Sequence, residues 1–248
     1  IEEDEKELSF GYRYDKLLYE GKSKFQTVEV YNTTAYGRML VIDGCVMLTE
    51  ADEFVYHEMI THIPLCYHKN PQSVLVIGGG DGGTVREICR HNSVDRVVLC
   101  EIDGLVVDTA KKFFPSVAGA LVNDKRVEVI IGDGVDYVKK NKNHFDIILI
   151  DSTDPIGPGE GLFTGDFYKV VAKNLKEGGI VAAQTGSPWA QATGLKKNFE
   201  NIKAGFEFVK PYIGSVPTYP RGLWSWTMGS QSPEAFVDCD IKRFEKFR

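Results

Sequence analysis

The chain has 248 residues, 43% of them hydrophobic and 26% charged, and a net charge of −6 without any basic run, an ordinary globular composition. That balance argues against a nucleic-acid or anionic-membrane partner, and no stretch approaches the ~20 apolar residues needed to span a bilayer. No apolar leader is visible, and five cysteines (Cys45, Cys66, Cys89, Cys100, Cys239) lie scattered without a CxxC, so the expectation is a cytoplasmic protein with reduced, mostly buried thiols.

Residues 1–50 read as a small antiparallel β domain. Phe25–Tyr31 (FQTVEVY) alternates in strand fashion, and MLVIDGCVML places two apolar runs around Asp43-Gly44, a pair that accepts the positive φ angles of a type I′ hairpin turn. Residues 51–248 read as a second domain. Thr49 is expected to cap a helix running through ADEFVYHEMITHIPLC. Then come short, continuous apolar runs at Val74–Ile77, Arg96–Cys100, Val127–Ile131, Asp146–Ile150 and Ile180–Gln184. Continuous rather than alternating runs mark strands buried on both faces. Helical segments begin between them near Gly83, Leu105, Val135 and Thr164. The expected fold is α/β, a Rossmann-like doubly wound, mainly parallel sheet, with ligands outside the C-terminal strand ends. The Gly/Pro-rich loop Ser152–Gly161 is a candidate lid.

The strand ends carry the chemistry. After the first comes Gly78-Gly79-Gly80-Asp81-Gly82-Gly83, a literal G-x-G-x-x-G whose glycines allow close backbone approach. Asp81 inside it would repel a pyrophosphate and attract a cation, or would cap the next helix. Glu101, after the second strand, stands where such a fold places the acid that accepts from ribose hydroxyls. Asp133, between Gly132 and Gly134, can accept from an adenine amino group. Asp151 and Asp154 leave the fourth strand, Asp151 as the best-placed general base and Asp154 as an acceptor-side acid or a turn former before Pro155. Converging carboxylates repel, at about 4 Å and an effective dielectric of about 20 by on the order of 4 kcal/mol per pair. No arginine or lysine set lies beside them in sequence, so the ligand is expected to bring the positive charge. The histidines show no metal-ligand spacing; His57 and His62, five apart, read as structural, and no metal is expected.

GGGDGG, CEID, GDG and DSTDPIGP, in that order at the strand ends, resemble the polyamine aminopropyltransferases, the spermidine synthase family, whose fold is similar to that of class I methyltransferases. KFQ at Lys24–Gln26, DEFVYHEM at Asp52–Met59 and PTYPRGLW at Pro217–Trp224 extend the resemblance over nearly the whole chain. It implies decarboxylated S-adenosylmethionine as aminopropyl donor, putrescine as acceptor, and spermidine and methylthioadenosine as products, with no cofactor. By position, it implies that Gly78, Gly80, Glu101, Asp133, Gly134 and Gln26 contact the donor nucleoside. His57 would face the donor, and Asp81 with Asp151 would hold its ammonium. Tyr56, Asp151 and Tyr219 would surround the attacking amine, with Asp154 toward the acceptor's far end. A homodimer or homotetramer is expected. Two departures bear on the acceptor: Gly186 replaces an acid in the Q-x-[ED]-x-P-W segment, and Arg221 replaces the usual serine. Agmatine, cadaverine or a longer polyamine therefore stand as alternative acceptors, and putrescine N-methylation as an alternative reaction.

Overall fold

The computed structural model describes residues 2–4, 8–141, 144–153 and 157–245. Its N-terminal part begins with two short paired strands, β1 (Glu2–Asp4) and β2 (Leu8–Phe10). A four-stranded antiparallel meander follows: β3 (Tyr14–Lys22), β4 (Thr27–Thr33), β5 (Arg38–Ile42) and β6 (Cys45–Thr49). Asp43 and Gly44 turn the β5–β6 hairpin with φ of 47° and 84°, the two positive angles that the Asp-Gly pair predicts. Leu40 pairs with Leu48 but Val41 with Val46, so Met47 is a bulged residue whose backbone leaves the ladder.

The second part is a seven-stranded sheet in the order β12-β13-β11-β10-β7-β8-β9. Its strands are β7 (Ser73–Gly78), β8 (Arg96–Glu101), β9 (Val127–Ile131), β10 (Phe145–Asp151), β11 (Leu175–Gly186), β12 (Phe208–Ser215) and β13 (Leu223–Ser230). Strands β7 to β11 are parallel, and β12 and β13 run antiparallel at one edge. The helices are α1 (Glu53–Tyr67), α2 (Gly83–Cys89), α3 (Gly104–Phe113), α4 (Pro115–Ala118), α5 (Ala120–Asn123), α6 (Gly134–Lys140), α7 (Gly165–Asn174), α8 (Ala192–Gly205) and α9 (Ile241–Glu245).

Each central strand feeds two cores, which is why its apolar run is continuous. Val74 and Val76 pack with Leu65, Val85 and Leu99 on one face; Leu75 and Ile77 pack with Ile148, Phe167 and Tyr168 on the other. The meander buries Val28, Val30, Leu40 and Leu48 against Val106, Phe114 and Val117, so the small sheet rests on α3 and α4. Asp103 fastens this seam: it caps α3 by accepting from Leu105 N and also accepts from Ser23 Oγ at 2.7 Å. After β7 the chain moves outward to β8 and β9, then returns to the other side of β7 as β10. The switch point of the winding therefore lies between β7 and β10, where Gly78 pairs with Asp151.

One expectation needs correction. Thr49 does not cap α1; it ends β6, and Asp52 takes the N-cap position without capping the helix by its side chain. The Asp52 carboxylate instead accepts from Thr49 Oγ1, Thr218 N and Thr218 Oγ1, tying the start of α1 to the segment before Tyr219. Thr164 caps α7 from outside it, accepting from Phe167 N. Among the described residues, no helix is long and apolar enough to cross a membrane.

Candidate active site

Two adjoining cavities open at the switch point. The first is lined by Gln26, Tyr56, His57, Gly78, Gly80, Asp81, Glu101, Asp133, Gly134, Asp151 and Tyr219, which brings together every expected site residue except Asp154. Asp154 lies outside the described residues. The second shares Gln26, Ile42, Met47, Tyr56 and Tyr219 and adds Val46 from the small sheet with Gln184 and Trp224 from the large one. Of the expected lid, Ser152 and Thr153 line both cavities, and residues 157–163 form a 3₁₀ helix whose Leu162 reaches the first.

The glycine run lets the β7 and β10 ends touch. Gly78 has a φ of +81°, and a Cβ there would sit 2.1 Å from the Asp151 carbonyl oxygen. Gly79 N donates to that same oxygen at 2.7 Å. Asp81 is both things that its position allows: its Oδ1 accepts from Gly83 N at 2.7 Å at the start of α2, and it faces the first cavity. Glu101 is 7% exposed and accepts from Gly80 N at 3.2 Å and Asp103 N at 2.9 Å. Burial outweighs those two bonds and pushes its carboxyl up to about 7. Asp133 is exposed and caps α6 through Val135 N and Asp136 N.

Asp151 ends β10 and is buried. The Tyr56 hydroxyl donates to its Oδ1 at 2.7 Å, and the Thr84 hydroxyl to its Oδ2 at 2.6 Å. Burial and then the charge of Asp81 raise the Asp151 pKa, against His57 and the two hydroxyls. Burial and Asp151 hold the Tyr56 phenol well above its usual range, so it is a donor. Tyr219 packs against Tyr56 at 5.7 Å and Trp224 at 4.8 Å between ring centroids. Its hydroxyl donates to Met47 O at 2.7 Å, the carbonyl that the β6 bulge sets out of the ladder.

The sequence predicts that the ligand brings the positive charge to these acids, but the protein supplies part of it at Asp81. His57 Nε2 lies 3.2 Å from Asp81 Oδ1, and its Nδ1 lies 2.5 Å from Glu53 Oε2. Burial alone would lower the His57 pKa, but Asp81 and Glu53 outweigh it and raise it to about 10. Burial also pushes Asp81 up, but His57, Gly83 N–H and Arg86 outweigh it and hold Asp81 below the usual carboxylate range. His57 sits on α1 and Arg86 on α2, so neither is beside Asp81 in a strand-end motif. Thr84, Glu53 and Arg86 are the residues that strand-end reasoning misses; the only trace of Thr84 is its place directly after Gly83.

Of the two departures, Gly186 ends β11 at a φ of +86°, and its N–H donates to Oε1 of Gln184, a wall residue of the second cavity. Arg221 takes a φ of 62° and donates to Trp189 O at 3.4 Å. Glu58, His62 and Glu87 bring ligand-type atoms within 4.8 Å of one another. Glu87 already carries Arg86 at 2.8 Å and Arg90 at 2.6 Å, charges that disfavour a metal cation.

Residues 53–239 match the family model of the spermine/spermidine synthase domain, and residues 1–50 that of the spermidine synthase tetramerisation domain. A polyamine aminopropyltransferase of Thermoanaerobacter sp. (strain X514) is 50% identical over 246 residues, covering 98% of this chain and 88% of the relative. That of Bacillus cereus (strain ATCC 10987 / NRS 248) is 43% identical over 252 residues, covering 99% of this chain and 91% of the relative. Among solved structures, a spermidine synthase in complex with the transition-state analogue AdoDATO superposes with a TM-score of 0.92 at 40% identity, covering 96% of this chain and 81% of that one. The spermidine synthase of Thermotoga maritima gives 0.90 at 40% identity, covering 96% and 80%. With both family models together spanning nearly the whole chain, and relatives alike over almost their full length, the chain belongs to the spermine/spermidine synthase family of polyamine aminopropyltransferases.

Proposed function

We propose that the chain transfers the aminopropyl group of decarboxylated S-adenosylmethionine to putrescine, giving spermidine and methylthioadenosine, with Asp151 as general base. The observation that carries this reading is the place of Asp151: buried in the wall of the first cavity, held by two hydroxyls, one of them from Tyr56, which lines both cavities, and with its pKa raised. The donor takes the first cavity, its ribose on Glu101 and Gln26, its adenine amino group toward Asp133, and its ammonium on Asp81 and Asp151. The acceptor takes the second, among Tyr56, Tyr219 and Trp224, with Asp154 toward its far end.

A primary ammonium with a pKa of about 10.4 needs roughly 4.6 kcal/mol to become a free amine at about pH 7. Asp151 takes that proton. The nitrogen lone pair attacks the methylene carbon beside the sulfonium, the C–S bond breaks, and its electron pair neutralises sulfur as a thioether. Alignment between the cavities supplies much of the remaining gain. A sulfonium needs no Lewis acid to leave, so we assign the reaction no metal or cofactor. The match to a tetramerisation domain supports a homo-oligomer built through the N-terminal sheet, and the free cysteines suit a cytoplasmic enzyme.

Gly186, beside Gln184, favours a second reading in which agmatine, cadaverine or a longer polyamine is the acceptor. The test is methylthioadenosine release from the decarboxylated donor with each amine in turn, with Asp151→Asn run alongside. Release with putrescine far above the others, lost in Asp151→Asn, is expected. Release that survives the substitution removes the base role, and S-adenosylhomocysteine from the carboxylated donor would mean methyl transfer instead.

A further inference from the structure

A run of charges leads away from the cleft behind Asp81. His57 is 2% exposed, and both ring nitrogens face a carboxylate, Nδ1 at 2.5 Å from Glu53 and Nε2 at 3.2 Å from Asp81. A neutral imidazole has a single N–H and would set its other lone pair against a carboxylate oxygen. Only the doubly protonated ring donates to both. Glu53 lies one helical turn before His57 on α1 and is gripped by Arg86 of α2, Nη1 to Oε1 at 2.8 Å and Nη2 to Oε2 at 3.0 Å. This fork gives Glu53 one orientation, and Arg86 is itself anchored through Nε to Glu87 Oε1 at 2.8 Å.

The arrangement matters because Asp81 and Asp151 share one buried cleft, where like charges drive one of a pair to take up a proton. Both contacts to Asp81, from Gly83 N and from His57, use Oδ1, which leaves Oδ2 to be offered to the cavity. We propose that Glu53 and Arg86 are positioning residues for donor binding: they hold His57 as a cation, and His57 keeps Asp81 an oriented carboxylate for the donor's ammonium. What Asp81 binds is taken from the proposed function; the charge on His57 is not.

The groups facing His57 are Glu53 on its own helix, Asp81 from the loop after β7, Asp151 from β10, Arg86 of α2 through Glu53, and the Tyr56 ring at 5.5 Å. With the folded-state pKa raised to about 10 from 6.5, the ring stays cationic through neutral pH, and the charge is lost as pH rises through about 10. Donor kcat/KM should follow that loss. Glu53→Gln keeps the shape and an oxygen acceptor but removes one anion, which lowers the ring's pKa by about 1–3 units.

The experiment is NMR of the ring nitrogens in the full chain labelled with ¹⁵N-histidine, His57 being assigned by the signal missing in His57→Gln. Donor and acceptor kinetics across pH run alongside. The parent ring should stay doubly protonated well above neutral pH. In Glu53→Gln it should titrate about 1–3 units lower, with the alkaline limb of donor kcat/KM moving with it and donor KM rising roughly tenfold in the vacated window, at acceptor KM changed less than about twofold. Arg86→Lys, which keeps the charge and loses the fork, should fall between the two, and it carries the test should Glu53→Gln not fold. A parent His57 that is neutral at about pH 8 overturns the inference. So does an unchanged ring titration in both variants, or a shifted ring with donor KM unmoved. A parent that releases no methylthioadenosine overturns the proposed function instead, and the ring titration of that same sample still decides whether Glu53 and Arg86 set the charge.

Discussion

The loop after β7 and the end of β10 each place a carboxylate in one cleft, Asp81 half-buried and Asp151 buried, at strand ends that pair Gly78 with Asp151. Around Asp81 the protein supplies a cation, His57, backed by Glu53 and Arg86, and the carboxyl is held low. Among the described residues, the side chains bonded to Asp151 are the hydroxyls of Tyr56 and Thr84; these and the charge of His57 are outweighed by burial and Asp81, and the carboxyl is pushed up. An imidazolium stabilises a neighbouring anion more than a hydroxyl does. Two aspartates of one type are thus shifted in opposite directions, one toward the anion, suited to hold an ammonium, and one toward the acid, suited to take a proton. Separation of paired acids by their surroundings is the general route to assigning acid–base roles.

The sharpest way to break this division is to exchange each carboxylate for its amide. Asp151→Asn should lower kcat by about 10²–10⁴-fold, read as methylthioadenosine release with both substrates saturating. Asp81→Asn should act chiefly on donor KM, by about 10–100-fold, since a hydrogen bond to a charged group contributes about 1.5–3 kcal/mol. Losses in the same kinetic parameter for both variants would end the distinction.

Glu101 extends the comparison, as a buried acid given neither a cation nor a hydroxyl among the contacts described. Its folded-state pKa of about 7 exceeds the ordinary 4.5, so between those values the folded chain keeps a proton that the unfolded chain has lost. Stability therefore falls as pH rises across that window. Glu101→Gln should raise the unfolding free energy at about pH 8 by on the order of 3 kcal/mol, in denaturant titrations of the ligand-free chain, while weakening donor binding. An unchanged midpoint would mean that Glu101 is not strained by burial.

The smallest expected effect is at the hydroxyls. Tyr56→Phe and Thr84→Val each remove a bond that lowers the Asp151 pKa, so the acid limb of kcat should move upward by less than about one pH unit, with kcat at neutral pH down about 2–10-fold. Thr84→Ser should restore both. A limb that stays in place in both variants would show that Asp151 is not the titrating base.

The expectations that succeeded were those with local causes. Continuous apolar runs located β7 to β11, and Asp43-Gly44 located the hairpin, because burial on two faces and positive φ leave marks on neighbouring residues; β9, at the sheet edge, is the exception, located by its run yet only partly buried. The strand-end acids were legible because winding brings the ends of parallel strands together whatever lies between. The cations were not, because His57, which lines the cleft, and Arg86, which stands behind it on Glu53, come from two helices whose contact no spacing records. Thr49 failed as a cap because the helix-start signal is local while Asp52 answers a residue 166 positions away, Thr218. The edge strand β12 carries Pro211, Gly214 and mixed polarity, and it gains its identity from pairing with β13, which in turn pairs with β11.

The β6 bulge has a consequence for how such an enzyme can change. Met47 lends its carbonyl to Tyr219, and its hairpin walls the second cavity, while Asp151 stands on the other sheet. On the proposed assignment, the hairpin wall that an acceptor would meet and the carboxylate that would deprotonate it lie on different sheets, with Tyr219 bonded to the one and packed beside Tyr56, which donates to the other. Mutations that reshape the hairpin can sample new amines while the proton-transfer machinery is inherited intact, so selection can explore substrate range without first passing through an inactive protein.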